Sequence, residues 1–322
     1  MTNTSKNLFN VSRGTVIHGK WKKQTYLVER KIGQGATGTV YLVNGADGEA
    51  ALKFSQPLSI TSEINVLKAF AKVRGSSLGP SLLDADDWEN GGSVYSFYVM
   101  EYIKGPTLTD FIKARGPSWI GVLLLQLLEN LHALHEEGWV FGDLKPDNLI
   151  VSGPPFALRC VDVGGTTKIG RSVKEYTEFF DRGYWRAGSR KAEPSYDLFA
   201  AAMVAVNLVY PERFLRNGTG SRQLILKVKQ KQELRAYAPV LVKALQGEYA
   251  SAQEMREELL EALGAASHES RKPSSRPSHS VKNNGRTARR RQQKKEKQLF
   301  GLASVLGTAV LYVLYILTEV LM

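Results

Sequence analysis

The sequence predicts an α+β chain in which a small strand-rich lobe precedes a larger helical lobe and a C-terminal transmembrane helix. Short apolar runs with alternating side chains dominate residues 26–101, whereas leucine-rich segments at helical spacing dominate residues 102–264. Residues 299–318 carry no charge and are long enough to cross a bilayer as a helix. A chain of 322 residues can bury the cores of two such lobes.

The strands of the first lobe are predicted around a glycine-rich turn. Residues 26–54 contain three strand patterns, and residues 93–101 alternate apolar and polar side chains as a half-buried strand does. A helix is predicted near residues 61–73. The sequence therefore predicts a small sheet with one helix packed against it.

The second lobe is predicted from helical periodicity. Residues 197–209 are apolar almost all round, which predicts a central buried helix. Residues 223–245 predict a helix interrupted near Pro239, and residues 251–263 predict the last helix of this lobe. A further long helix is predicted from a stripe of leucines: Leu123, Leu124, Leu127, Leu128, Leu131 and Leu134.

The composition is that of a globular body with a basic appendage. Hydrophobic residues make up 43% of the chain and charged residues 23%, and the formal net charge is +12. Residues 265–322 hold eleven Lys and Arg against three Glu, so most of the positive charge lies in this tail. Residues 1–10 lack the apolar run of a signal peptide. The lone Cys160 excludes an intrachain disulfide and is predicted to fill the core.

A glycine-rich turn, Gly33-Gln34-Gly35-Ala36-Thr37-Gly38, lies between the first two predicted strands. Glycines in such a turn let backbone N–H groups close over phosphates. A dinucleotide-binding fold would need a helix after the turn, but a second strand follows here. Lys53 comes thirteen residues after Val40 and can contact the same phosphates.

The groups needed for phosphoryl transfer occur together between residues 143 and 162. Asp143 can orient a hydroxyl nucleophile, and Lys145 can neutralise charge on the transferring group. Asn148 and Asp162 offer oxygen ligands for Mg²⁺. Their order after the glycine-rich turn and Lys53 is the order that this chemistry requires.

These motifs resemble the Hanks-type Ser/Thr protein kinase family over about residues 26–264, and within it the small bacterial YabT-like kinases with one C-terminal anchor. The resemblance implies a bilobal protein-kinase fold with an N-lobe over about 26–101, a C-lobe over about 102–264 and an extension at 1–25. It also implies ATP with Mg²⁺ or Mn²⁺, and transfer to Ser or Thr of protein substrates and of the chain itself.

The resemblance carries specific roles to this chain. Asp143 corresponds to the catalytic base, Lys145 to the Lys that steadies the phosphate, and Asn148 and Asp162 to the metal ligands. Lys53 would be aimed at the phosphates by a carboxylate, for which Glu63 is the candidate, with an exposed helix Glu as the alternative. The residues expected around ATP are Ile32, Gly33, Gly35, Gly38, Val40, Ala51, Lys53, Met100, Glu101 and Ile103.

Several positions depart from the family pattern. Phe141 and Gly142 replace the usual His-Arg, so an activation-loop phosphate cannot pair with an Arg there. Val163 replaces the Phe of Asp-Phe-Gly, and the Ala-Pro-Glu motif has no clean counterpart near residues 184–188. Asp197 matches the buried Asp that holds the catalytic loop. Four hydroxyls are candidates for autophosphorylation or are ordinary loop residues: Thr166, Thr167, Ser172 and Thr177.

The tail predicts a membrane anchor and a basic segment. Residues 265–298 predict a disordered linker, and the basic residues before the span place the body in the cytoplasm and the C-terminus outside. Ala303 and Gly307 would permit close helix contact in a homodimer. The basic segment is expected to bind anionic lipid or the DNA backbone. It comprises Arg286, Arg289, Arg290, Arg291, Lys294, Lys295 and Lys297.

The sequence leaves two other functions open. A catalytically weak, kinase-like scaffold with a DNA- or lipid-binding tail would account for Gly142 and the missing Ala-Pro-Glu, although it has no need of metal ligands. A small-molecule kinase of related fold also places Gly before the catalytic Asp. The complete glycine-rich turn and the string from Asp143 to Asn148 favour a protein acceptor.

Overall fold

The structure, a computed structural model, describes residues 9–35, 38–71 and 78–271. The predicted linker beyond residue 271, the basic segment at 286–297 and the predicted span at 299–318 lie outside these residues. The same holds for the tip of the glycine-rich turn, residues 36–37.

The first lobe is a six-stranded antiparallel sheet in the order β1-β2-β3-β4-β6-β5. One helix, α1, packs against β5 and β6. The elements are β1 (Val16–His18), β2 (Thr25–Gln34), β3 (Gly38–Gly45), β4 (Gly48–Ser55), α1 (Pro57–Phe70), β5 (Leu82–Asn90) and β6 (Ser93–Glu101).

The second lobe is mainly helical and carries two short antiparallel strand pairs, β7 with β10 and β8 with β9. The strands are β7 (Trp139–Val140), β8 (Leu149–Ser152), β9 (Ala157–Cys160) and β10 (Thr167–Lys168). The helices are α2 (Leu108–Arg115), α3 (Trp119–Glu136), α4 (Pro194–Val209), α5 (Ser221–Gln230), α6 (Ala238–Gln246) and α7 (Ala252–Arg271).

The two faces of the first sheet pack against different cores because successive side chains along each strand point to opposite faces. On β4, Leu52 and Phe54 point into an aromatic-rich core that Ile17 and Phe9 cover from the N-terminal side. Ala51 belongs instead to the main core, which continues into the helical lobe, and Lys53 lies on the same face. The alternation therefore aims Lys53 at the cleft between the lobes.

The helices predicted for the two lobes are present, and the boundary of α1 differs. The leucine stripe of α3 is buried, as is almost every residue of α4 between Tyr196 and Asn207. Helix α1 begins and ends earlier than predicted. The segment predicted at 223–245 is interrupted near Pro239 as expected, by a 3-10 turn, Gln232–Tyr237, that ends two residues before it. Pro239 lies in the first turn of α6, where its missing N–H removes no helical hydrogen bond.

Cys160 is fully buried in β9, and burial raises the pKa of its thiol well above the ordinary range. This position agrees with the predicted core role. Among the residues that the structure describes, no helix is both long and apolar enough to span a membrane.

Candidate active site

The loop that carries Asp143 is tied to the centre of the helical lobe. Asp197, fully buried on α4, accepts hydrogen bonds from the N–H groups of Phe141 at 2.7 Å and Gly142 at 2.9 Å. It also lies 2.9 Å from Nε2 of His135 at the end of α3. Because two helices fix this carboxylate, the backbone before Asp143 has a defined position.

Asp143 and Lys145 share a third partner, Thr177. The Thr177 hydroxyl donates to Oδ1 of Asp143 at 2.9 Å, and Lys145 Nζ donates to Oδ2 of Asp143 at 2.5 Å. Lys145 also donates to Thr177 Oγ1 at 3.2 Å. A carboxylate, an ammonium and a hydroxyl therefore form a closed triangle. The arrangement can orient a hydroxyl nucleophile while holding a positive charge beside it.

Asn148 and Asp162 present oxygens that suit a divalent cation. The Asn148 side-chain amide donates to the carbonyl of Asp143 at 3.0 Å, which turns its own side-chain oxygen away from that bond. Asp162 Oδ1 accepts from the N–H of Gly164 at 3.1 Å. One carboxylate and one amide oxygen are a typical protein share of a Mg²⁺ shell that phosphates and water complete. The described residues contain no group of three or more His, Cys, Asp or Glu able to hold a metal alone.

The structure brings Lys53 and Glu63 together in the cleft. Lys53 Nζ lies 3.0 Å from Oε2 of Glu63 and 3.5 Å from Oδ1 of Asp162, and the Lys53 and Glu63 side chains are almost fully buried. Tyr98 donates to Glu63 Oε2 at 2.7 Å, and Ser55 donates to Oε1 at 3.3 Å. Glu63 is therefore not an exposed helix residue. Its two oxygens are held by neighbours on β4 and β6, which fixes the position of Lys53.

The electrostatics of the cleft follow from this arrangement. Burial acts to lower the pKa of Lys53, but Asp162 and Glu63 outweigh it, and the pKa is raised. Burial acts to raise the pKa of Asp162, but Lys53, the Gly164 N–H and Lys145 outweigh it, and the pKa falls. Both groups are therefore charged at neutral pH, as nucleotide and metal binding require.

A third carboxylate, that of Glu175, lies near those of Asp162 and Glu63. A Cβ on Gly164 would lie 3.3 Å from Asp162 Oδ1, 3.5 Å from Glu175 Oε2 and 3.7 Å from Glu63 Oε1. Burial, and then the charge of Asp162, raise the pKa of Glu175. No sequence pattern marks this residue, because its position depends on the path of the loop between β10 and α4.

The other residues expected around a nucleotide lie on or next to strands β2, β3, β4 and β6. Gly35 donates its N–H to Gly38 O at 2.9 Å, and a Cβ on Gly35 would meet nothing within 4 Å, which leaves room for a phosphate. A Cβ on Gly38 would lie 2.0 Å from the carbonyl of Phe54, so glycine is required there. Gly33 lies against Val40. Four residues belong to the main core or pack against it: Ile32, Val40, Ala51 and Met100. Ile103 is also buried.

Glu101 forms hydrogen bonds through both its backbone and its side chain. Its N–H donates to the carbonyl of Ser81 at 2.9 Å. Its carboxylate binds both terminal nitrogens of Arg159 on β9, at 2.9 and 2.8 Å, and these bonds lower the pKa of Glu101 against the opposing effect of burial. This bidentate pair links the end of β6 to the helical lobe.

Gly142 is required by the backbone at its position. Its φ is +85°, and a Cβ would lie 2.6 Å from the carbonyl oxygen of Gly165. The loop after Asp162 therefore packs directly on the loop before Asp143. The departure from His-Arg is accommodated by close packing of two backbones.

The segment between Thr177 and α4 is anchored by buried charges. Asp181, fully buried, accepts from Arg190 Nε at 2.9 Å and from the Tyr196 hydroxyl at 3.0 Å. Arg182, also buried, pairs with Glu193 at 2.5 Å. These two pairs fix a segment whose sequence has no clean counterpart of Ala-Pro-Glu.

Sequence reasoning did not identify the position of Thr177, which it treated as one of four loop hydroxyls. The structure separates Thr177 from the others. Thr166 and Thr167 are buried behind the loop, and Ser172 is exposed. Only a three-dimensional contact with Asp143 distinguishes Thr177, because no local spacing marks it.

Comparisons with known proteins agree with this geometry. The protein kinase domain family matches residues 26–282. The serine/threonine-protein kinase YabT of Bacillus subtilis (strain 168) is 48% identical over 288 residues, which cover 88% of this chain and 83% of that protein. The serine/threonine-protein kinase STE20 of Candida glabrata is 26% identical and is matched over 61% of this chain and 22% of its own length.

Among solved structures, that of vaccinia related kinase 3 superposes with a TM-score of 0.60. It shares 16% sequence identity, and the match covers 82% of this chain and 94% of that chain. This likeness shows the bilobal fold alone. The strand-rich lobe, the helical lobe and the cleft between them are thus those of a known architecture.

Proposed function

We propose that Asp143 is the catalytic base of this chain, which belongs to the protein kinase family and is a serine/threonine-protein kinase. The observation that carries this assignment is the triangle of Asp143, Lys145 and Thr177. Asp143 would accept the proton of a Ser or Thr hydroxyl as it attacks the γ-phosphorus of ATP. Lys145 would hold its charge beside the transferring group, and Thr177 keeps both side chains in place.

ATP would lie between the lobes with its phosphates under the glycine-rich turn. Lys53, held by Glu63, would contact the α- and β-phosphates. The Glu101 carbonyl and the backbone of Ile103 would bond the adenine edge, because the Glu101 N–H is already bonded to Ser81. Met100, almost fully buried, would close the pocket behind the base.

Asn148 and Asp162 would hold Mg²⁺, with Mn²⁺ as a substitute. When bound, the metal supplies positive charge that bridges and neutralises the phosphates. The lowered pKa of Asp162 keeps its carboxylate ionised for this role. The Asn148–Asp143 hydrogen bond connects the metal ligand to the base through the backbone.

The structure favours a catalytic kinase over an inactive scaffold. Gly142 is accommodated by a tight backbone contact, and Asp181 with Arg182 anchors the segment that lacks Ala-Pro-Glu. Neither departure disturbs Lys53, Asp143 or their partners. The acceptors are proposed to be Ser and Thr of cytoplasmic proteins and of the chain itself.

Residues 299–318 are proposed to anchor the chain in the cell membrane as a single span, with the kinase body in the cytoplasm and the C-terminus outside. The support is their uncharged apolar composition and the basic residues before them. Residues 286–297 are proposed to bind anionic lipid or the DNA backbone, and the span is proposed to favour a homodimer.

Transfer itself is tested with the full-length chain, labelled ATP, Mg²⁺ and a generic Ser/Thr protein acceptor. Asp143→Ala should reduce transfer by about 10²–10⁴-fold while nucleotide binding remains. Nucleotide binding without transfer by the wild-type protein would favour the scaffold. Transfer only to sugars or other small molecules would favour a small-molecule kinase.

The tail is tested by fractionation and by binding. Deleting residues 299–322 should move the protein from the membrane fraction to the soluble fraction. Replacing the seven basic residues at 286–297 with Gln should weaken binding to duplex DNA or to anionic vesicles and reduce the salt dependence of that binding. The ligand whose affinity falls is the one that the segment binds. Unchanged binding to both would contradict this part of the proposal.

A further inference from the structure

Positive charge is concentrated in the part of the helical lobe that lies beside the catalytic loop. Residues 182–231 contain ten Lys and Arg against three acidic residues. Of the three, Asp197 is fully buried and Glu193 is paired with Arg182, so Glu212 is left as the exposed acid. These residues precede the basic tail in the sequence, and no local pattern marks them.

Four of these cations lie over one aromatic cluster, and we call them the cationic face. The cluster is built around Phe214, whose ring meets those of Phe179, Trp185 and Tyr210 edge to face at 5.2–5.8 Å. The cationic face consists of Arg213 over Phe180 (5.2 Å), Arg216 over Tyr184 (4.8 Å), Lys227 over Phe214 (5.2 Å) and Lys231 over Tyr210 (4.5 Å). The rings hold the four side chains next to one another.

The charges of the cationic face are mostly uncompensated. Arg216, Lys227 and Lys231 form no ion pair with any residue in the described part of the chain. Arg213 pairs with Asp147 at 3.1 Å, and both side chains are exposed. Arg216 also donates to the Tyr184 carbonyl, and the charge of Glu233 reaches Tyr210 beneath Lys231 without forming an ion pair with these cations. The four cations still outnumber the acids beside them, and clustered like charges attract anionic groups.

The cationic face begins at the catalytic loop. Asp147, the partner of Arg213, follows Asp143 by four residues, and Phe179 and Phe180 follow Thr177 by two and three. Arg186 in the same segment is exposed and has φ of 55°, a conformation that a non-glycine residue keeps only when its surroundings impose it. A polypeptide whose hydroxyl reaches Asp143 would therefore pass close to these cations.

We propose that the cationic face selects protein substrates with an acidic stretch within a few residues of the acceptor Ser or Thr. This inference rests on the proposed function. An extended peptide advances about 3.3 Å per residue, so two or three carboxylates can meet neighbouring cations. Nucleic acid fits less well, because Phe179 and Trp185 are buried and offer no open ring for base stacking. A duplex here would also obstruct the acceptor.

The test compares two peptides with the same Ser acceptor, one followed by three Asp and the other by three Asn, as substrates of the full-length protein. We expect kcat/KM to be about tenfold higher for the acidic peptide, because each exposed ion pair contributes up to about fivefold. Lys227→Gln with Lys231→Gln should bring this ratio close to one. Lys113→Gln on α2, outside the face, should leave it unchanged, and added salt should lower it.

Direct binding of both peptides, followed by fluorescence anisotropy, separates this inference from the proposed function. If neither peptide is phosphorylated but the acidic one binds more tightly and the double variant removes this preference, the inference stands and the kinase assignment fails. Equal use and equal binding of the two peptides by the wild-type protein would overturn it. The inference would also be overturned if Lys227→Gln with Lys231→Gln lowered the affinity for duplex DNA but left the ratio of kcat/KM for the two peptides unchanged.

Discussion

The Thr177 hydroxyl donates to Oδ1 of Asp143 at 2.9 Å, across 34 positions of sequence. This bond links the loop before α4 to the proposed catalytic base. Removing it should leave the Asp143 carboxylate held by Lys145 alone and less well oriented. We expect Thr177→Val to lower kcat by about 10- to 100-fold, since a hydrogen bond to a charged group contributes about 1.5–3 kcal/mol.

Thr177→Ser is the matched control, because it keeps the hydroxyl, and it should retain kcat within about threefold. Steady-state kinetics with a protein acceptor measure both variants. Full activity of Thr177→Val, or phosphate found on Thr177 of the active enzyme by mass spectrometry, would show that this residue is not a positioning group.

Glu63→Gln should lower kcat/KM for ATP by about 10- to 100-fold, because the variant loses the charge that faces Lys53 at 3.0 Å. Tyr98→Phe removes only the 2.7 Å hydrogen bond to Glu63 and should cost less, about three- to tenfold. Kinetics at varied ATP concentration give both values. Glu136→Gln, at the exposed end of α3, is the control, and a Glu63 variant that matched it would exclude the proposed ATP contact.

Glu175→Gln should stabilise the protein at neutral and higher pH. Burial and the charge of Asp162 raise the pKa of Glu175, so the folded protein holds this proton to a higher pH than the unfolded chain does. The stability contributed by the proton is fully present below the unfolded-state pKa of about 4.3 and is lost as pH rises through the folded-state pKa. The amide cannot ionise and avoids this loss.

Thermal unfolding between about pH 4.5 and 8 measures this difference, which should grow with pH and nearly disappear at the acidic end. Glu178→Gln, an exposed carboxylate of the same segment, should show no such trend. If the melting temperatures of Glu175→Gln and wild type kept a constant separation across the range, the Glu175 carboxylate would not face the cleft.

Gly142→Ala should destabilise the protein more than Gly138→Ala. Both glycines have a similar positive φ, +85° and +79°, which costs a non-glycine residue about 1–2 kcal/mol. A Cβ at Gly138 meets nothing within 4 Å, whereas one at Gly142 would lie 2.6 Å from the Gly165 carbonyl oxygen. We expect the clash to add about 1–3 kcal/mol to the loss of unfolding free energy. Urea denaturation measures both, and equal losses would exclude the tight contact.

The elements that the sequence predicted well have a strong local pattern. The strand at 93–101 has the predicted bounds, and the leucines of α3 are buried as their spacing indicates. Strand β5 was missed because three Asp residues in nine positions are unfavourable for a strand. Here tertiary contacts satisfy them: Asp84 accepts from the Tyr26 hydroxyl at 2.7 Å, and Asp86 accepts from the Lys22 N–H at 2.7 Å.

The site was predictable where its residues lie in short motifs and where a motif implies a partner, as Lys53 implied Glu63. Asp143, Lys145 and Asn148 occur within six positions, so the sequence places them together. Thr177, Glu175 and the cationic face depend on how the segment after Asp162 folds back over the helical lobe, and no spacing records that path. The predicted start of the first lobe at residue 26 leaves out β1 (Val16–His18), which pairs with β2 but has no distinctive local pattern. Phe9 and Ile17 cover the outer face of the sheet through contacts with distant strands.

The buried carboxylate of Asp197 also sets how the catalytic loop can open. The amide hydrogens of Phe141 and Gly142 are bonded to a side chain in the middle of α4, which is itself buried on nearly all sides. These two hydrogens can therefore exchange with solvent only when the core of the helical lobe comes apart. We therefore expect the loop that carries Asp143 to belong to the slowest-exchanging unit of the protein. The rigidity of this loop depends on the stability of the whole fold. A destabilising core substitution far from the cleft would therefore also make Asp143 more mobile.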